Sequence, residues 1–326
     1  MTDFDSMTLT EMIQLQTQLD QALRRRFEKQ LCLAFSDVVG STAYFARFGD
    51  AAGKGLQQRH FDVLAQVLQK HGGRLVDTAG DGAFAVFAQV DAAAAAFVEA
   101  EALISAQNAG YAREHQLTIR VGLHFGPALT DGALVSGDAV NLAARVCSSG
   151  GPGELRLSKA AFRELGRDLR LRCRGLPKVA LKGVPEPQEL VVLEWRDRSL
   201  FASMIRVLET GQEIVLPAQD TITFGRLLER NGIVSNDIVL TLPDEEKARQ
   251  ISRWHFELRR RADGFVLRSV TDQSTVVDGV SLAKGEERRV LPGASVRLAK
   301  VMTVELVGEV AAKSPDDLES ATNYNE

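Results

Sequence analysis

Leu31-Cys-Leu-Ala-Phe-Ser-Asp-Val-Val-Gly-Ser-Thr42 runs from an apolar stretch through an acid to a glycine and two small hydroxyls. It reads as a buried strand whose end turns into the start of a helix. A second helix is expected from about Gly55 to Lys70. Arg74-Leu-Val76 and Ala83-Phe-Ala-Val-Phe87 flank the turn Gly80-Asp-Gly82, which makes them a β-hairpin. The run Ala92 to Ala102, broken by Glu99 and Glu101, reads as a packed helix and not a membrane span. Leu117 to His124 is a strand, Asp138 to Cys147 a short helix, and Val191 to Trp195 a last strand. Hairpins mixed with helices imply an α+β sheet, not a doubly wound parallel one.

On the N-terminal side, Met12, Leu15, Leu19, Ala22 and Leu23 recur at helical spacing between about Thr8 and Lys29, so residues 1–30 are expected to hold one amphipathic helix. Such a narrow stripe suits packing against a partner or a second copy. The chain from residue 31 to 197 is expected to form one domain, and residues 198–213 a linker. From 214 to 309, short apolar strands alternate with turn residues, as in Ile222-Thr-Phe, Asp237-Ile-Val-Leu240 and Phe265-Val-Leu267. That pattern is an all-β sandwich. The Ser-, Asp-, Glu- and Asn-rich residues 310–326 are expected to be a disordered tail.

The 326 residues suit two domains, and 45% hydrophobic with 25% charged residues excludes wholesale disorder. With 39 basic against 43 acidic side chains there is no compositional case for nucleic-acid binding. No membrane span or signal peptide is readable, and Cys32, Cys147 and Cys173 form no CxxC pair, so a reduced, cytoplasmic setting is expected.

Two acids stand out. Asp37 ends a strand and Asp81 sits in a hairpin turn, a placement that would let them share Mg²⁺ or Mn²⁺ through hard oxygen ligands. The same residues would also serve simply as a helix cap and a turn former. Val38, Gly40, Ser41 and Thr42 lead into a helix start, where free N–H groups favour a polyphosphate. Asn141 and Arg145, four apart, share one helix face and could orient a sugar and neutralise a phosphoryl group, or be an ordinary polar face. Arg120 and Lys182 are isolated cations, each alone suited to the surface.

Taken in order, Phe35-Ser-Asp-Val-Val-Gly-Ser-Thr42, Gly80-Asp-Gly-Ala-Phe-Ala-Val-Phe87, Arg120-Val-Gly-Leu-His-Phe-Gly126, Gly137-Asp-Ala-Val-Asn-Leu-Ala-Ala-Arg145 and Leu181-Lys-Gly-Val184 resemble the class III adenylate/guanylate cyclase catalytic domain over about Leu31 to Trp195. The resemblance implies a ferredoxin-like fold and a head-to-tail homodimer. It implies cyclisation of ATP or GTP with loss of pyrophosphate, using two Mg²⁺ or Mn²⁺ ions per site held by Asp37 and Asp81. It further implies that Asn141 orients the ribose and Arg145 steadies the phosphorus from the opposite subunit, while Arg120 and Lys182 neutralise the β- and γ-phosphates. The purine-reading positions depart from the family: its lysine falls at Asp77 and its Asp or Thr at Leu134. Asp77 accepts hydrogen bonds and suits guanine's N1–H and N2–H, whereas Leu134 offers shape alone. The adenylate reading leads; guanylate activity, or a weak or silent cyclase-like scaffold, are the alternatives.

Thr223-Phe-Gly-Arg226, Ser235-Asn-Asp-Ile-Val-Leu240, Ile251-Ser-Arg-Trp-His-Phe-Glu-Leu258 and Val277-Asp-Gly-Val280 resemble the forkhead-associated (FHA) domain. The resemblance implies recognition of a phosphothreonine-containing protein, with Arg226 and Ser252 on the phosphate and His255 as internal scaffold. Arg253 and Thr275 would stand at the rim, and Asp278 where an asparagine usually grips the peptide backbone. A carboxylate there accepts but cannot donate.

Overall fold

The computed structural model describes residues 7–217, 219–230, 233–261 and 263–308. The expected tail, 310–326, lies outside them. The chain divides into two units after Trp195.

In the first unit, helix α1 (Leu9–Phe27) opens on a capping box in which Glu11 Oε2 accepts from the Thr8 N–H at 2.7 Å. It ends three residues before the expected boundary. Strand β1 spans Glu28–Val38, because β4 (Ile119–Thr130) runs past His124 and pairs Glu28, Lys29 and Gln30 with Leu129, Ala128 and Pro127. Helix α2 (Ser41–Lys70) is broken at Gly49, so the two helices expected here meet at a kink. The hairpin β2 (Arg74–Ala79) and β3 (Gly82–Phe87) follows, then the alanine-rich α3 (Val90–Asn108).

Strands β2, β3, β1 and β4 lie side by side in that order, all antiparallel. With α2 and α3 as crossovers this is the ferredoxin-like βαββαβ arrangement. Strand β5 (Val135–Ser136) pairs with the end of β4, and α4 (Asp138–Ser148) comes next. Beyond β4 the sheet continues with β6 (Leu155–Ser158), which is parallel to β4, and then in the order β8 (Leu190–Leu193), β7 (Cys173–Gly175). Two short helices, α5 (Lys159–Glu164) and α6 (Arg167–Arg170), stand between β6 and β7.

Alternation along β1 assigns the two faces. Cys32 and Ala34 share a core with Val63, Leu64, Val67, Phe97 and Ala100 of α2 and α3, while Leu33 packs with Ala139 and Ala143 of α4. Phe35 stacks on Phe84 across the strand pair at 4.5 Å on that second face. Glycine is obligatory at Gly122 of β4, where a Cβ would lie 2.1 Å from the Cys147 nitrogen of α4.

The second unit is two β-sheets around a core in which Phe224 stacks on Phe256 at 4.3 Å. One sheet runs, in spatial order, Glu213–Val215, Ala202–Val207, Met302–Gly308, Ser295–Leu298, Thr275–Val277 and Val280–Leu282; the other runs Ile238–Val239, Thr221–Gly225, Phe256–Arg261, Gly264–Ser269 and Glu287–Val290. The expected linker is therefore largely structural. Ile205 and Val207 are buried in the sandwich core, and their strand pairs with Val304–Gly308. One short helix, Glu245–Gln250, interrupts the strands, nucleated by Asp244, whose carboxylate accepts from the Glu246 and Lys247 N–H groups.

Candidate functional site

Asp37 stands one residue past the Ser36–Ala83 pair of β1 and β3, so the sheet register carries it to the turn that holds Asp81. Odd-numbered β1 residues face α4, and Asp37 follows that alternation. Its Oδ2 accepts from Arg120 Nε at 3.0 Å and Nη2 at 2.5 Å, because Arg120 is its cross-strand partner on β4. Arg120 also donates to the Ser148 carbonyl at the end of α4. Both side chains of the pair are about 30% exposed. At that exposure an ion pair is worth roughly 0–1 kcal/mol, so the guanidinium can leave Asp37 at little cost.

Among the described residues Asp81 forms no such ion pair. Its Oδ2 is buried and has no hydrogen-bond partner among the described residues. A buried carboxylate oxygen left unpaired is costly unless something binds it, which fits a divalent cation. No group of three or more His, Cys, Asp or Glu able to hold a metal occurs among the described residues. Two aspartates would thus leave most of the coordination sphere to phosphate, carbonyl and water oxygens, as Mg²⁺ prefers. Val38 is buried at the end of β1, Gly40 is the left-handed N-cap of α2, and Ser41 and Thr42 lie in its first turn without a side-chain cap. The opening N–H groups of α2 therefore stay available to an anion.

Behind the two acids lies a residue the sequence reading passed over. His60 of α2 is buried, with Nε2 3.0 Å from Ser36 Oγ and Nδ1 3.0 Å from the Asp81 carbonyl. Burial lowers its pKa to about 4, outweighing the opposing pull of the Asp81 carbonyl and of the Asp81 and Asp37 charges. The sequence signal was present: His60 lies at helical spacing with the buried Leu56, Val63, Leu64 and Val67.

Asn141 and Arg145 sit together on α4, as their spacing demands. The face of α4 that meets the sheet is Ala139, Ala143 and Cys147, and Asn141 and Arg145 lie about half a turn away from it. They point away from the sheet that carries Asp37 and Asp81. Asn141 is exposed, and Arg145 donates to the Lys182 carbonyl, so Lys182 joins this second group. Lys182 itself is exposed on a turn anchored by the buried Leu181. The chain thus carries two separate groups: Asp37, Asp81 and Arg120 on the sheet, and Asn141, Arg145 and Lys182 on the outer side of α4.

The two positions expected to read the purine, Asp77 and Leu134, come from neighbouring segments. Asp77 is exposed on β2, next to a bulge, and its Oδ1 accepts from the Thr78 N–H at 2.8 Å. Leu134 is 66% exposed in the β4–β5 loop, which Arg74 of β2 holds through the Ala133 carbonyl.

In the second unit Arg226 and Ser252 are brought side by side by the Arg226 N–H to Ser252 carbonyl bond, and Arg226 and Arg253 are both exposed. Gly225 is needed at this crossing, because a Cβ would lie 2.1 Å from the Arg253 carbonyl oxygen. His255 is buried with its Nδ1 accepting from the Ser252 N–H, and burial lowers its pKa to about 4. Asn236, part of the Ser235–Leu240 stretch but given no role by the sequence, ties the loops by donating to the Leu227 and Arg253 carbonyls.

One expectation needs correction. Thr275 is fully buried, with its hydroxyl turned to Ser269 and the Gln273 carbonyl, and cannot stand at a rim. The hydroxyl beside Ser252 is that of Thr271, 2.6 Å away. Asp278 occupies a left-handed hairpin position (φ 47°), and its Oδ1 accepts from the Ser295 N–H. Its other carboxylate oxygen lies on an exposed side chain, with no hydrogen bond to the Arg226–Ser252 group among the described residues.

Family comparison agrees with this division. A model described as the adenylate and guanylate cyclase catalytic domain matches residues 24–194, and one described as the FHA domain matches residues 222–299. A curated protein of Rhizobium meliloti (strain 1021), named "Putative adenylate cyclase 3", is 26% identical over 138 residues, which is 42% of this chain and 23% of that protein. This chain therefore spans less than a quarter of that relative's length. Among solved structures, the adenylyl cyclase CyaB from P. aeruginosa aligns with 21% identity, TM-score 0.46, over 51% of this chain and 94% of that one. The guanylate cyclase domain of RhGC from Catenaria anguillulae, in complex with GTP, aligns with 19% identity, TM-score 0.45, over 52% and 99%.

Proposed function

Because the chain belongs to the adenylate and guanylate cyclase catalytic domain family and carries an FHA domain after it, we propose that it converts ATP to cyclic AMP and pyrophosphate at the interface of two copies of itself. In this reading a phosphothreonine-containing protein regulates or targets it through the FHA domain. The observation that carries the catalytic part is the buried, unpaired Asp81 oxygen at the strand end shared with Asp37.

Asp37 and Asp81 would hold two Mg²⁺ or Mn²⁺ ions. When bound, these would supply Lewis-acid charge that acidifies the ribose 3′-hydroxyl and steadies the leaving pyrophosphate. Arg120, freed from Asp37, and Lys182 of the second copy neutralise the β- and γ-phosphates, with the N–H groups after Gly40 beside them. Asn141 of the second copy orients the ribose, and its Arg145 meets the negative charge that grows on the α-phosphoryl oxygens. Aligning hydroxyl and phosphorus supplies much of the rate. The outward placement of Asn141 and Arg145 supports a shared site, since one protomer does not aim them at its own acids.

ATP is the leading substrate, supported by the name of the Rhizobium relative. GTP is the second reading, favoured by Asp77, an exposed acceptor that suits guanine's donors. Purified protein with Mn²⁺ and each triphosphate separates them. Cyclic AMP in excess supports the first reading, cyclic GMP the second, and neither product refutes both in favour of a phosphoprotein scaffold.

A further inference from the structure

Asp81 lies in a turn beyond the last cross-strand pair it could use, and its Oδ2 finds no partner among the described residues. Its aim therefore depends on its backbone. Among the described residues, the hydrogen bond that ties that backbone to the rest of the domain comes from His60, Nδ1 to the Asp81 carbonyl at 3.0 Å. The carbonyl can only accept, so Nδ1 carries the proton and Nε2 accepts from the Ser36 hydroxyl, also at 3.0 Å. Ser36 directly precedes Asp37. One rigid ring thus spans the two segments that bear the acids, from the opposite side of the sheet, on a helix fixed by the buried Val63, Leu64 and Val67.

We propose that His60 is a positioning residue of the cation site: it sets the separation of Asp37 and Asp81 by clamping the Ser36 side chain and the Asp81 peptide. The inference rests on the reading of Asp37 and Asp81 as cation ligands. Groups that hold ligands from behind commonly govern affinity nearly as much as the ligands do.

The test uses the full chain and Mn²⁺ alone, with free ion followed by electron paramagnetic resonance and folding by circular dichroism. His60→Phe removes both bonds. His60→Gln reaches Ser36 only, and His60→Asn places an N–H near Nδ1 and keeps the Asp81 bond. Because sheet pairing on both sides already holds Ser36, while Asp81 lies beyond the last pair, Mn²⁺ affinity is expected to fall by roughly tenfold or more in the Phe and Gln variants and by clearly less, about threefold, in the Asn variant. Wild-type affinity in a folded Phe or Gln variant, or an Asn variant no better than Gln, overturns the proposal. If Phe does not fold, the Gln–Asn comparison decides it. The measurement needs no turnover. Wild-type chain that binds Mn²⁺ in this pattern yet makes no cyclic nucleotide would refute the proposed function and leave the clamp standing.

Discussion

Gly122→Ala probes the joint between β4 and α4, and with it the proposed shared site. The new Cβ would meet the Cys147 nitrogen at 2.1 Å and its Cα at 2.5 Å, where ordinary contact begins at 3.4 Å. Both atoms are backbone, so no side chain can swing aside, and α4 must back away from β4 by about 1.3 Å. Overpacking of this kind costs about 1–3 kcal/mol, a fall in melting temperature of roughly 2–12 °C for a unit of this size. The shift carries Asn141 and Arg145 with it. A displacement near 1 Å at a positioning group costs about a hundredfold in rate, so kcat should fall further than stability alone explains. The assays are thermal unfolding and cyclic-nucleotide production well below the variant's melting temperature. A variant that melts like wild type would refute the packing argument. One that melts lower yet turns over normally would refute the assignment of chemistry to α4.

Asp37→Ala and Arg145→Ala should each abolish turnover, and an exchanged equimolar mixture should recover up to about a quarter of wild-type activity, since half the dimers are hybrid and each hybrid keeps one intact site. A mixture that exchanges subunits and stays inactive would contradict the shared site. Arg226→Ala should weaken binding of a phosphothreonine peptide by tenfold or more in titration calorimetry, with basal cyclase rate unchanged. The buried His255, with a pKa near 4 when folded against an unfolded value of 6.5, stabilises fully above pH 6.5 and loses that contribution as pH falls toward 4. Urea unfolding monitored in the second unit should weaken by up to about 1.4 kcal/mol per pH unit in that window, and His255→Gln should flatten the slope.

The features legible in the sequence were those set by local pattern. The hairpin around Gly80-Asp-Gly82, the strand ending at Asp37 and the pairing of Asn141 with Arg145 follow from periods of two and 3.6 residues. What the sequence hid depends on distant partners. Residues 28–30 continue the helical segment by composition, and only β4 draws them into the sheet. Ala202–Val207 looks like connector until its strand partner Val304–Gly308 is in place. Thr271 and Thr275 are both plausible hydroxyls, and their burial, decided by strand against loop, separates them. Asp278 shows in the sequence as an acid, while its left-handed backbone (φ 47°) becomes visible only with the hairpin in place. Arg120 stands in the sequence as a lone cation because its partner, Asp37, lies 83 residues away.

One experiment tests the proposed site most directly: purified chain with Mn²⁺ and equal ATP and GTP, products resolved by chromatography, beside Asp81→Asn. Cyclic AMP as the main product, lost in the variant while folding is retained, is the predicted result. A folded wild-type dimer that releases no cyclic nucleotide from either substrate, or an Asp81→Asn variant as active as wild type, would contradict it.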